Sequence, residues 1–243
     1  MFHVFKKELQ SFFYSPLMYV ISAVFMLIFS INFVYGITAM EGSTFQFSFP
    51  TIFYNYFFYF VFLIPTLTMR TFAEERKGGT EVLLMSSPLS LGSIVIGKFL
   101  AVSAVYAFML VLTLIFPIIA AIMGNVVWSG LFCGYIGFFL WGLCCIAIGM
   151  LMSSFTENQV IAVVLGEAAM LALLFTDSFG SNEVLAGIPV ISSIMTAISA
   201  QERFLSFSKG MISLGDLVFY LTFIAAALAF IVISLDKRRR SRG

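Results

Sequence analysis

The chain has 243 residues, of which 61% are hydrophobic and only 10% charged, with a formal net charge of +1. A soluble globular domain carries about 25% charged residues, so this composition excludes one. Near-neutrality gives no support to a nucleic-acid role, and the few charges matter through their placement.

Three stretches carry no Asp, Glu, Lys or Arg: Leu9 to Met40, Gly42 to Met69 and Phe99 to Thr156. A bilayer core of about 30 Å is crossed by about 20 helical residues, so each is long enough to span and the last is long enough to do so twice. The expectation is an all-α integral membrane protein.

Met1 to Ser15, MFHVFKKELQSFFYS, groups Val4, Phe5, Phe12 and Phe13 on one helical face, with Leu9 near them, against Lys6, Lys7, Glu8 and Gln10. This pattern predicts an amphipathic helix lying in the membrane interface. Pro16 marks a break before the first span, Leu17 to Ala39. That apolar run is longer than a signal-peptide core and lacks a small-residue cleavage site, so the first helix is expected to stay.

The second span, Thr51 to Met69, opens with FYNYFFYF, Phe53 to Phe60. An aromatic cluster beside a short polar loop reads as an interfacial belt. A third span is expected over Phe99 to Met123, a fourth over Gly130 to Met152, a fifth over Val160 to Thr176 and a sixth over Leu217 to Leu235. Leu185 to Ala200 is apolar but short and holds Gly187 and Pro189, which fits a re-entrant or surface element better than a crossing.

The positive-inside rule supports six spans with both termini cytoplasmic. Eleven of thirteen basic residues then lie inside: Lys6, Lys7, Arg70, Arg76, Lys77, Lys98, Lys237, Arg238, Arg239, Arg240 and Arg242. Arg203 and Lys209 fall outside, and Arg203 is expected to be solvated, as are Asp177, Glu183 and Glu202. The basic tail is a topology anchor on this reading. Cys133, Cys144 and Cys145 all lie in an apolar run and read as small buried hydrophobes.

Gly92 to Phe99, GSIVIGKF, comes close to a phosphate-binding loop but has Phe99 where the motif needs a Ser or Thr hydroxyl for magnesium. It also lacks a preceding strand, and ATP binding is not expected here. Gly92 and Gly97 read as close-packing positions, and Lys98 as a side chain snorkelling to headgroups.

Upstream lies a charged island: Arg70, Glu74, Glu75, Arg76, Lys77 and Glu81. Topology calls for basic residues but not for three glutamates, so the island reads as a docking surface. Val82 to Met85, stopped by Ser86, Ser87 and Pro88, would supply an apolar plug within that charged collar.

PTLTMRTFAEERKGGTEVLLMSSPLSLGSIVIGKF, Pro65 to Phe99, resembles the signature of type-2 ABC exporter permeases, in particular the gliding-motility-associated subfamily. KKELQSFFYSPLMYV, Lys6 to Val20, is similar to that subfamily's N-terminal segment. The resemblance extends over the whole chain in span pattern, with its specific motifs in the first hundred residues. It implies a single transmembrane domain over 1–243 with six spans, an interface helix (1–15), a cytoplasmic coupling region (71–93) and an extracytoplasmic re-entrant region (178–214).

It further implies that Glu74, Glu75, Arg76, Gly79, Thr80, Glu81, Leu83 and Leu84 form the coupling region. They would sit in a cleft of a separate ATPase subunit that holds the ATP and magnesium, with no cofactor in this chain. A second permease subunit, identical or related, and a bacterial inner-membrane location complete the implied assembly.

Glu167 is the one acid deep in a predicted span and is a functional candidate on that ground. Its rival role is a hydrogen bond at a subunit interface. A proton- or ion-coupled secondary transporter is the leading alternative, and a non-transporting anchor of a motility or secretion machine is another. An enzyme has least support, since the lone histidine is His3 and neither metal-ligand spacing nor a nucleophile–base pair is present.

Overall fold

The computed structural model describes residues 1–38, 46–47, 49–81, 89–180 and 200–242. Helix α1, Phe2–Tyr14, is separated from α2, Pro16–Thr38, by Ser15 in an extended conformation. Proline lacks an N–H and its φ suits a first helical turn, so Pro16 opens α2 where it could not have continued α1. The face of α1 foreseen from its apolar spacing is the one turned inward: Val4, Phe5, Leu9, Phe12 and Phe13 are buried or half-buried, and Glu8 lies among them. That face packs on protein, against α5, Leu91–Thr113.

Helix α3 covers Phe49–Thr68 and α4 covers Arg70–Lys77. Helix α5 is followed after a break at Leu114 by α6, Ile115–Met123. Next come α7, Trp128–Ser153, α8, Gln159–Gly180, α9, Ala200–Ser208, and α10, Leu214–Arg242. Two-residue strands β1, Gln46–Phe47, and β2, Asn125–Val126, pair in parallel between the α2–α3 and α6–α7 connections.

Among the described residues, five helical stretches are long and apolar enough to cross a membrane: Pro16–Thr38, Thr51–Lys77, Leu91–Met123, Trp128–Ser153 and Leu214–Arg240. The apolar stretch of α8, Gln159–Phe175, is shorter. The third apolar helix begins at Leu91, not at Phe99, because the Ser90 hydroxyl accepts from the Ser93 N–H and caps it. The break at Leu114 has a local cause. Pro117 cannot donate to the Thr113 carbonyl four residues back, and the Tyr135 hydroxyl donates to that oxygen at 3.3 Å. Helix α10 runs past its apolar part into the basic tail, where Asp236 and Arg240 pair at 2.8 Å one turn apart.

Helix α7 sits at the centre, packed by α3, α4, α5, α8, α9 and α10. Small residues let neighbours approach it: a Cβ on Gly142 would overlap the Tyr106 ring, and one on Gly149 would overlap Thr68 Oγ1. Around α7 lies an aromatic core, and here the structure corrects the belt expected for the second span. Phe53, Tyr56, Phe57 and Phe60 are all buried, while Tyr54 and Phe58 face outward. Ring centroids lie 4.8 Å apart for Phe53 and Phe138, and 4.9 Å apart for Phe57 and Trp141. The Tyr56 hydroxyl is satisfied by the Phe25 carbonyl, which lets a polar aromatic sit in the core.

Large apolar side chains such as Leu27, Ile31, Ile122, Phe230 and Ile233 remain exposed on the perimeter. A soluble protein would bury such a surface, whereas hydrocarbon tails cover it without cost. Cys144 and Cys145 are buried and Cys133 is half-buried, all as free thiols.

Candidate functional site

The charged island folds into a node around α4. Thr71, Phe72, Ala73 and Arg76 turn inward on this eight-residue helix, and Glu74 and Lys77 turn outward. Its N-cap position is Met69, which has no side-chain oxygen to offer the first N–H groups. Ser153, from the end of α7, takes that role. Its hydroxyl accepts from the Phe72 and Ala73 N–H groups, both at 3.3 Å, and donates to the Met69 carbonyl at 2.9 Å. Capping ordinarily comes from the same strand of chain; here it fastens one helix to another.

Lys98 fastens the opposite side. It was expected to snorkel to headgroups, but its side chain is 1% exposed. Its ammonium lies 2.9 Å from Glu75 Oε1 and 3.0 Å from Glu8 Oε1, and donates to the Thr71 carbonyl at 2.8 Å. The Phe72 ring lies 5.4 Å away, adding a cation–π contact. One cation therefore ties α1, α4 and α5 together. Gly97 allows this approach, since a Cβ there would stand 3.2 Å from Val4. Gly92, also expected to be a close-packing position, has no such neighbour among the described residues.

Arg76 is the third fastening. Its Nε donates to Glu81 Oε1 at 2.9 Å and its Nη1 to the Thr156 carbonyl at 3.4 Å. Arg70 binds Glu74 through both carboxylate oxygens at 2.6 and 2.9 Å, and reaches the Ser15 hydroxyl at 2.5 Å. Helix α4 ends as Gly79 takes φ +68°, a conformation that costs glycine nothing and other residues roughly 1 kcal/mol or more. Thr80 then closes the turn through a hydrogen bond to the Glu75 carbonyl at 3.2 Å.

The residues picked out in the island thus fall into two groups. Glu75, Arg76 and Glu81 point into the protein and hold its shape. Glu74, Gly79 and Thr80 are exposed, and Lys77 joins them. Leu83 and Leu84 lie outside the described residues, as does most of the element expected over Leu185 to Ala200.

Two members of the node, Glu8 and Ser153, carried no distinguishing signal in the sequence. Glu8 reads as one of the polar residues set against the apolar face of α1, and nothing in the local pattern singles out Ser153.

Gly92 to Phe99 is continuous helix, so its backbone N–H groups are turned into α5 and do not converge on a ligand. Among the described residues, no group of three or more His, Cys, Asp or Glu could hold a metal ion. Glu167 stands apart from the node, half-buried on α8, with no hydrogen bond or ion pair among the described residues. Arg203, expected to be solvated, instead pairs with Asp216 at 3.3 Å and lies 4.0 Å over the Phe219 ring. Burial of its neighbours Phe204 and Phe207 against α7 brings it to that ring.

A helical bundle with an apolar perimeter, and a charged node at one end, defines a multi-pass membrane protein. Residues 2–233 match the family model described as ABC-2 family transporter protein, and the chain belongs to that family. Its members are membrane permease components of ABC transporters, which normally work with an ABC ATPase subunit. No curated protein matches the chain significantly.

Proposed function

We propose that this chain is the permease subunit of an ATP-driven exporter, and that a separate ATPase subunit docks on the outward residues of the α4 node. The observation that carries the reading is the lashing of α4. A helix that delivers force must not slip against the spans it drives, and α4 is fastened by Lys98 to α5 and α1 and by Ser153 to α7. A push on Glu74, Lys77 or Thr80 therefore moves several helix ends together. ATP-driven closure of two ATPase subunits is the kind of motion such a lever would receive.

On this reading α8 is the fifth of six spans, the node and both termini are cytoplasmic, and the membrane is the bacterial inner membrane. The coupling region extends over 71–93, where Leu83 and Leu84 add apolar contacts, and residues 178–214 form the outer re-entrant region. ATP and magnesium belong to the partner, and a second permease, identical or related, completes the assembly. Similarity in Lys6 to Val20 and Pro65 to Phe99 favours the gliding-motility-associated subfamily.

The test is transport against ATP hydrolysis in reconstituted vesicles. Reversing the outward charges, Glu74→Lys with Lys77→Glu, is expected to leave insertion intact and to abolish ATP-driven transport. Normal transport by that variant refutes the docking role.

A further inference from the structure

The groove where α5, α7 and α10 meet holds a cavity of about 390 Å³, lined among others by Ala107, Val111, Phe132, Ile136, Phe139 and Leu217. No charged side chain lines it, and its one polar side-chain group, the Tyr135 hydroxyl, is engaged by Thr113. The wall therefore offers hydrocarbon contact to whatever enters. Val111, Phe132 and Ile136 are exposed on the perimeter, so the groove opens sideways toward the surrounding lipid.

Its place along the helices is set by their ends. The groove lies at the last turns of α5, the first half of α7 and the first turn of α10, all at the end opposite the charged node. From Leu131 to Leu140 it runs about 14 Å along α7 at about 1.5 Å per residue. A hydrocarbon core is about 30 Å thick, so the groove is one leaflet deep. That depth separates the possible occupants. A spanning helix, from a second copy or another protein, would need the full thickness and small residues for close approach. The groove has half that depth, and bulky walls at Phe132, Ile136 and Phe139. A single acyl chain needs no more than this.

The mouth supplies a cation. Gly210 is seated on the start of α7, where a Cβ would stand 3.3 Å from the Gly130 nitrogen. Lys209, its neighbour in the chain, is exposed beside the turn that carries Leu131 and Phe132. Of the two described basic residues at this end, Arg203 is taken by Asp216 and the Phe219 ring, and Lys209 makes no ion pair with another described residue. Trp128 is exposed one turn before Phe132, at the level where an indole meets lipid headgroups.

We infer that the α5–α7–α10 groove holds one acyl chain of a phospholipid from the leaflet remote from the node, with the lipid's phosphate at Lys209. The occupant is a lipid of the surrounding membrane, bound on the outside of the bundle. Its binding does not depend on an ATPase docking at the node.

The experiment is native mass spectrometry of the full-length protein in detergent, titrated with dioleoyl phosphatidylglycerol. Saturable retention of one lipid per chain is expected. Ala107→Phe, whose ring fills the cavity, should weaken it by about tenfold or more. Ile136→Asn, which puts an amide in the exposed wall without filling it, should weaken it as well. Lys209→Gln should weaken it about fivefold, the worth of one basic residue at a lipid surface. Dioleoylglycerol, with the same chains and no phosphate, should respond to both groove variants and be indifferent to Lys209→Gln. Absence of saturable binding overturns the proposal, as does full affinity in both groove variants. Phosphatidylglycerol affinity unchanged in Lys209→Gln overturns the placement of the phosphate. Loss of a dimer on size-exclusion chromatography in Ile136→Asn, with lipid affinity unchanged, would assign the groove to an interface between copies instead.

Discussion

Lys98 Nζ lies 2.9 Å from Glu75 Oε1, joining the start of the third apolar helix to the helix that carries the charged island. Glu8 shares the same cation at 3.0 Å. Removing the ammonium leaves two largely buried carboxylates facing one another, and breaking a buried pair costs about 3–5 kcal/mol. Lys98→Met should accordingly lower the thermal midpoint in detergent strongly. Adding Glu8→Gln and Glu75→Gln should recover most of the loss. A Lys98→Met protein as stable as the parent would show that the ammonium contributes nothing.

Ser153 caps a helix that its own sequence leaves uncapped. Loss of an N-cap costs about 1 kcal/mol. Ser153→Ala is therefore expected to speed hydrogen exchange in the peptide covering Arg70 to Lys77 by roughly five- to tenfold. Ser153→Thr, which keeps the hydroxyl, should restore protection. Equal exchange in all three proteins contradicts the capping role.

The aromatic core makes neighbouring residues unequal. Phe53 is fully buried and Phe58 is 54% exposed, five residues along the same helix. Phe53→Ala leaves a cavity and should destabilise by about 3–5 kcal/mol, while Phe58→Ala should cost under about 1 kcal/mol. Thermal unfolding of the two variants in the same detergent checks the order. Comparable losses would restore the interfacial belt.

Much of this architecture is legible in the sequence, because apolar spacing reports directly which residues avoid water. The inward face of α1, the break at Pro16 and the ends of the helix over Trp128–Ser153 follow from it within two residues. What composition cannot report is the partner. Phe53 to Phe60 has the composition of a belt, and only Phe138, Trp141 and Phe204 packing on it make it core. Lys98 looks like a headgroup anchor until Glu8, ninety residues earlier, is brought against it. Ser153 likewise acts on a backbone more than eighty residues away in sequence. Local pattern gave no sign of either contact.

The proposed topology, six crossings with both termini inside, can be tested by labelling. In a background with Cys133, Cys144 and Cys145 replaced, single cysteines at His3 and Arg240 should be shielded from an impermeant maleimide in intact cells. One at Lys209 should react. Opposite labelling of His3 and Arg240 would make the number of crossings odd.

The most direct test of the docking claim is purification of the protein from its native host, with mass spectrometry of what accompanies it and an ATPase assay. A Walker-motif ATPase should co-purify and be lost when Glu74→Lys and Lys77→Glu are introduced together, while the variant stays folded. Recovery of no ATPase, or of equal ATPase with the reversed variant, contradicts the account.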